Sequence, residues 1–155
     1  MEAFRSSIGR SVSENQRGIL SADLAAIAKR PFTEKEKNAI RDFSLEAEVS
    51  AESVEFFTML RGPRSTRLVL IKAVEPSYPL RGSISLESGS RNEGAAKDLK
   101  GAWVEINLAR QLGLAQGDKI QIGTTESRVE GLLTSDPTQG SQGMVFSGKI
   151  YIPME

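Results

Sequence analysis

The chain has 155 residues, of which 39% are hydrophobic and 26% charged, and its 20 basic side chains are balanced by 20 acidic ones. That length supports one domain with a real core, since about 70% of the unfolded surface is buried at this size. The composition excludes a disordered chain, and zero net charge supplies no field to gather nucleic-acid phosphates or an anionic bilayer.

Along Met1 to Arg17 the apolar residues Phe4, Ile8 and Val12 recur every four positions, which reads as a narrow amphipathic helix or, equally, as a frayed terminus. Arg5, Arg10, Glu14 and Arg17 leave no apolar centre for a secretory signal. Ile19 to Lys29 is expected to be a strand, although its alanines also suit a helix. It contains the longest unbroken apolar run, the five residues Leu24 to Ala28, far short of the about 20 that a spanning helix needs. Pro31-Phe32-Thr33-Glu34-Lys35-Glu36 then predicts a helix start. Thr33 caps the amide of Glu36 and Glu36 reaches back to Thr33, with the helix running to Phe43 and turning Ile40 and Phe43 inward.

Strands are predicted over Val54 to Leu60 and Arg67 to Glu75, joined as a hairpin through Arg61-Gly62-Pro63-Arg64-Ser65. The consecutive apolar residues Leu68 to Ile71 predict a central strand covered on both faces. Pro76 and Pro79 end the pairing, because neither can donate to a ladder, and Gly82 to Leu86 re-enters a strand with Ile84 and Leu86 on one face. Ser88 to Lys100, rich in glycine and without a usable period, is expected to be a surface loop. After the strand around Trp103, Asn107 is placed to cap a short helix with Leu108 and Leu112 on its buried face and Gly113 at its end. Gln116-Gly117-Asp118 turns into Lys119 to Ile122, which forms a hairpin over Gly123 to Glu126 with Ser127 to Leu133. Val129, Gly131 and Leu133 are expected on one face of that second strand. Asp136 to Gly143 reads as a second loop and Met144 to Ile152 as the last strand.

The reacting groups of common enzymes are missing. No histidine or cysteine occurs, which removes serine-histidine and cysteine-histidine nucleophiles, disulfides, and the usual zinc and iron ligands. No lysine has a serine three residues before it, and neither G-x-S-x-G nor G-x-G-x-x-G is present. Gly143 to Lys149 has the G-x-x-x-x-G-K spacing of a phosphate loop, but the position that should carry a hydroxyl for magnesium is Ile150, in a strand-like run. The acidic residues Glu34, Glu36, Glu46, Glu48, Glu52 and Glu55 are read as solvated faces, with a Glu52/Glu55 carboxylate enzyme as the rival reading. The adjacent Phe56 and Phe57 point to opposite faces, one of them toward the core; Trp103 is read as an anchor beneath the preceding loop, Ser88 to Lys100, in preference to a cleft wall.

Two segments carry a resemblance. Tyr78-Pro79-Leu80-Arg81-Gly82, together with Leu112-Gly113-Leu114 leading into Gly117-Asp118, resembles the extracytoplasmic domain of ABC transporter permeases of the FtsX/MacB type, most similar to export permeases of the YbbP kind. The run Gly18 to Leu24, the helix start at Pro31 to Glu36 and the hairpin within Ser53 to Glu75 follow the same order. The resemblance implies a non-enzymatic α+β domain, with a mixed and antiparallel β-rich sheet and a few short helices, like the MacB periplasmic core. Residues 1–17 would continue from a transmembrane helix and residues 18–155 would form the core, as an excised portion of a longer domain. It further implies a bacterial inner-membrane protein with this segment on the periplasmic side. The partners would be the transmembrane part of the same permease, a cytoplasmic ATPase, and a lipophilic substrate or periplasmic protein. No cofactor, metal, catalytic or substrate-binding residue is carried over, because the matching turns set backbone geometry. The rival reading is a stand-alone soluble β-rich ligand-binding domain.

Overall fold

The computed structural model describes residues 22–44, 49–87, 91–92, 95–136 and 148–154. The expected helix over Met1 to Arg17, most of the Asp136 to Gly143 loop, and residues 144–147 of the last strand lie outside these. In chain order the elements are α1 (Glu34–Ser44), β1 (Ser53–Arg61), β2 (Thr66–Val74), β3 (Ile84–Leu86), β4 (Arg91–Asn92), a 3-10 turn (Ala95–Asp98), β5 (Ala102–Glu105), α2 (Ile106–Leu112), β6 (Lys119–Ile122), β7 (Thr125–Ser135) and β8 (Lys149–Pro153). The fold is therefore α+β and β-rich, as the sequence implies. No described helix is long and apolar enough to cross a membrane.

The sheet runs β4-β3-β7-β5-β8-β2-β1-β6, and β6 also pairs with β7, so six strands close into a ring with β3 and β4 extending from it. β1 and β2 form the predicted hairpin, in register from Ser53↔Val74 to Arg61↔Thr66. β2 is central, with β8 parallel on its other side, and Val69, Leu70 and Ile71 are buried while Leu68 remains exposed. Branched aliphatics fill the ring. Leu60, Val69, Ile71, Val104, Ile120, Val129 and Ile150 meet inside it, and α2 adds Leu108, Ala109 and Leu112 at the end where the Gly62 turn lies. Gly113 ends α2 at φ 69°, a left-handed value costly for any other residue, and its neighbour's N–H reaches back to Ala109 O at 2.8 Å.

A second cluster packs on the outside: Val74, Tyr78, Ile84, Ala96, Leu99, Trp103, Leu133 and Tyr151. It corrects two expectations. Ser88 to Lys100 is more than a surface loop, because β4 pairs with β3 and the 3-10 turn sends Ala96 and Leu99 into the core above Trp103. Val129 and Leu133 do not share a face either. The β5–β7 register slips between Ala102↔Val129 and Trp103↔Gly131, so a bulge turns Val129 into the ring and Leu133 to the outer cluster.

Three local expectations also change. Within Ile19 to Lys29, the described residues from 22 onward form no strand; Leu24 and Ile27 are exposed, no described strand pairs with them, and Asp23 is instead tied to the Arg81 guanidinium. The cap of α2 is Glu105, whose carboxylate accepts from the Lys149 N–H at 3.0 Å, while Asn107 lies exposed inside the helix. The β6–β7 turn is tighter than expected, with Ile122 pairing directly to Thr125. By contrast α1 starts as its sequence dictates. Thr33 N–H donates to Glu36 Oε2 at 2.9 Å, and Glu36 N–H donates to Thr33 Oγ1 at 3.4 Å. Ile40 is half-buried; the side chain of Phe43 lies outside the described residues.

Candidate functional site

The β1–β2 hairpin concentrates the features that core packing does not explain. Alternation along β1 sends Val54, Phe56, Thr58 and Leu60 to the face that continues the ring interior, and Glu55, Phe57 and Met59 to the outer face. Leu60 is fully buried, yet Phe56 is 42% and Phe57 60% exposed, so neither phenylalanine enters the core as one was expected to. Met59 and its cross-strand partner Leu68 are about half exposed as well. The outer face of the hairpin is thus an apolar surface made by Phe57, Met59 and Leu68, and the pattern of the sequence hides it because the same residues would suit a buried strand.

Beside this surface lies a buried cation. Lys72 is 5% exposed, with its ammonium 3.0 Å from Glu55 Oε1 and 4.7 Å from the centre of the Tyr78 ring. Burial opposes the charge on Lys72, but Tyr78 and Glu55 together outweigh it and hold the ammonium above its ordinary value. Tyr78 in turn leans on Tyr151, their ring centres 6.2 Å apart, and precedes the cis Tyr78–Pro79 bond. The Tyr78-to-Gly82 turn that carries the resemblance therefore covers the outer cluster and backs the cation of the hairpin.

The other candidates fall apart in space. Glu55 is committed to Lys72, and Glu52 presents its backbone to Glu75, whose carboxylate accepts the Glu52 N–H at 2.8 Å, so the two acids are not arranged across a pocket. Glu34 pairs with Lys37 on α1 and Glu36 with Arg30 just before it, while Glu46 and Glu48 lie outside the described residues. Lys149, the lysine of the phosphate-loop spacing, sits at the start of β8 with its ammonium 2.8 Å from Asp136. Trp103 is 2% exposed beneath Ala96 and Leu99, the anchor its position predicts. No group of three or more metal-ligating side chains exists among the described residues. An open groove of about 460 Å³ runs beside the hairpin turn, lined by Arg61, Pro63, Lys119, Gln121 and Glu126, but Lys119 and Glu126 neutralise one another at 2.8 Å.

The chain matches solved structures. One match is the extracellular domain of the noncanonic ABC-type transporter YknZ from Gram-positive bacteria, with a TM-score of 0.54 and 15% sequence identity over 79% of this chain. The two share a fold. This chain spans 62% of the length of that domain. No protein-family model matches the chain, and no curated protein does.

Proposed function

We propose that the chain is an extracytoplasmic domain of an ABC transporter permease, without catalysis of its own. It would take up a lipophilic substrate or a periplasmic protein, or relay motion to one, while a cytoplasmic ATPase hydrolyses the nucleotide. The observation that carries this reading is the fold shared with the YknZ extracellular domain. The finer assignments belong to the same proposal: a permease of FtsX/MacB type, YbbP-like, working in export across a bacterial inner membrane with this segment on the periplasmic side. Three features support it. The exposed Phe57, Met59 and Leu68 offer an apolar contact surface. The ionic groups at the hairpin, Lys72 and Glu55, are paired with one another. The ring interior is filled by aliphatic side chains, which fits a domain that relays force better than one that encloses a ligand.

The test uses the full reading frame, reconstituted in vesicles with the ATPase encoded beside it. Phe57→Ser and Leu68→Ser should leave basal ATP hydrolysis intact and cut its stimulation by lipophilic compound or periplasmic partner severalfold. A reading frame without hydrophobic spans flanking this domain would defeat the proposal.

A further inference from the structure

Strand β1 is paired along its whole length on one side and only at its end on the other. β2 matches it from Ser53 to Arg61, whereas β6 meets only Leu60 and Arg61, and the Gly123 N–H donates to Met59 O at 3.1 Å. Two flanking bonds fix the phase of the ladder: Glu75 N–H to Glu52 O at 3.1 Å and Gly62 N–H to Ser65 O at 3.0 Å. In that phase the even-numbered residues of β1 exchange backbone hydrogen bonds with β2, and the odd-numbered ones turn theirs away from it. Ser53, Glu55 and Phe57 therefore present N–H and C=O groups to an edge that no strand among the described residues occupies.

Open edges in soluble domains are guarded by lysine, proline or a bulge. From Ser53 to Leu60 there is no lysine, no proline and no register shift against β2. The one charge, Glu55, is bound to Lys72. Val54, Phe56 and Phe57 stand 46%, 42% and 60% exposed on the two faces of this edge.

We propose that the edge pairs with the same edge of a second copy of the chain, antiparallel about a twofold axis at Phe56. The choice of axis follows from the residues. An axis at Glu55 would set two carboxylates directly opposite each other, which is destabilising. An axis at Phe57 would leave only the Phe57 pair free to bond, because Glu55 would meet Met59, whose carbonyl Gly123 already uses; about Phe56 that conflict falls only on Ser53, at the end of the ladder. About Phe56, Glu55 faces Phe57 of the partner subunit and Phe57 faces Glu55 of the partner subunit. Both positions are odd-numbered, so their outward backbone groups meet. Phe56 then meets its own copy in a non-hydrogen-bonded pair, where side chains approach most closely, and Val54 faces Thr58 of the partner subunit. Self-complementarity without a like-charge contact is what favours a second copy over a foreign strand.

The chain has no cysteine, so one introduced thiol reports the register. In a non-hydrogen-bonded antiparallel pair the Cα atoms lie about 4.5 Å apart, inside the disulfide range, so Phe56→Cys should oxidise to a covalent dimer about tenfold faster than Glu55→Cys. Phe57→Pro removes an N–H that faces the open edge and spares the ladder to β2. It should abolish the concentration-dependent dimer in sedimentation while keeping the circular dichroism of the parent. Should the proline variant lose its fold, Phe57→Lys reads the same equilibrium with the backbone intact, and the dimer should again be lost. The proposal is overturned by a parent chain that stays monomeric at every concentration, by equal cross-linking at positions 55 and 56, or by a dimer that survives Phe57→Lys. A chain that stays monomeric and binds only an added extended apolar peptide overturns it too, and assigns the edge to a foreign strand.

Discussion

The inside of the ring and its outer cluster are built from different side chains. The interior is aliphatic throughout, whereas the outer cluster relies on Tyr78, Trp103 and Tyr151, with the ammonium of Lys72 against one ring. The difference follows from what covers each face. Strand alternation around a closed ring converges on a narrow space that branched aliphatics fill without a polar atom to satisfy. Among the described residues no second sheet faces the outer cluster; the Glu75 to Gly82 turn and the 3-10 turn at Ala95–Asp98 cover it. Irregular segments offer few side chains per unit area, so the space beneath them is filled by large rings, Tyr78 from the turn and Trp103 and Tyr151 from strands β5 and β8, since aromatic rings bury the most surface per residue.

The largest test of this contrast removes one anchor from each side. Trp103→Ala should cost about 3–5 kcal/mol and Leu112→Ala about 2–5 kcal/mol in urea unfolding. The two losses should differ in reach. Without Trp103 the residues it supports, Ala96 and Leu99, lose their floor, and amide exchange should accelerate there first. Without Leu112 the closure of the ring is weakened and exchange should rise across β1, β2 and β8 together. Equal exchange profiles for the two variants would mean that the clusters form one cooperative unit and that the division drawn here is only geometric.

A smaller effect is expected where the two clusters meet. Gly101 enters β5 just before the register slip, and a Cβ placed on it would lie 2.5 Å from the Arg128 carbonyl oxygen, an atom of the backbone that cannot swing aside. Gly101→Ala should therefore cost about 1–3 kcal/mol through a forced shift of β5 against β7. If thermal unfolding of this variant matches the parent, the bulge is softer than its geometry implies and the split of Val129 from Leu133 is not rigidly held.

What the sequence discloses about these regions depends on how local the cause is. The hairpin, the Thr33–Glu36 box and the Gly113 cap were legible because each is decided by residues within a few positions of one another. The split of β7 between two faces was not, since the slip exists only relative to β5, some 25 residues earlier in the chain. Ala96 and Leu99 were hidden for a related reason: two apolar residues three apart, among glycines and charges, make no period that stands out. At the candidate site, the Glu55 side chain was legible as acidic and nothing more, because its partner Lys72 comes from the other strand of the hairpin. The exposure of Phe56 and Phe57 was least accessible of all. It follows from β6 covering only the last residues of β1, and ring closure is a property of the whole sheet.

The smallest effect is expected at α1, which stands apart from both clusters and is held at its start by side chains in water. Glu36 accepts from Arg30 at 2.8 Å and from the Thr33 amide and hydroxyl at 2.9 Å each. The Arg30 guanidinium first, then the Thr33 donors, hold its carboxyl at about 2, below the ordinary 4.5. A carboxyl whose folded value is lowered favours the fold fully above its unfolded value, and that contribution is lost as pH falls from about 4.5 toward about 2. Helical signal from α1 should accordingly fade across that acid window while the ring, whose core cluster includes no residue of this helix, keeps its near-ultraviolet spectrum. Thr33→Ala should cost the helix about 1 kcal/mol, and Arg30→Gln should move the Glu36 titration, followed by its side-chain carbon shift, back toward the ordinary value. An unchanged midpoint in Arg30→Gln would show that the Thr33 amide and hydroxyl set the acidity without the guanidinium. If the helix and the ring melted together in acid, α1 would be coupled to the core through contacts beyond its own start.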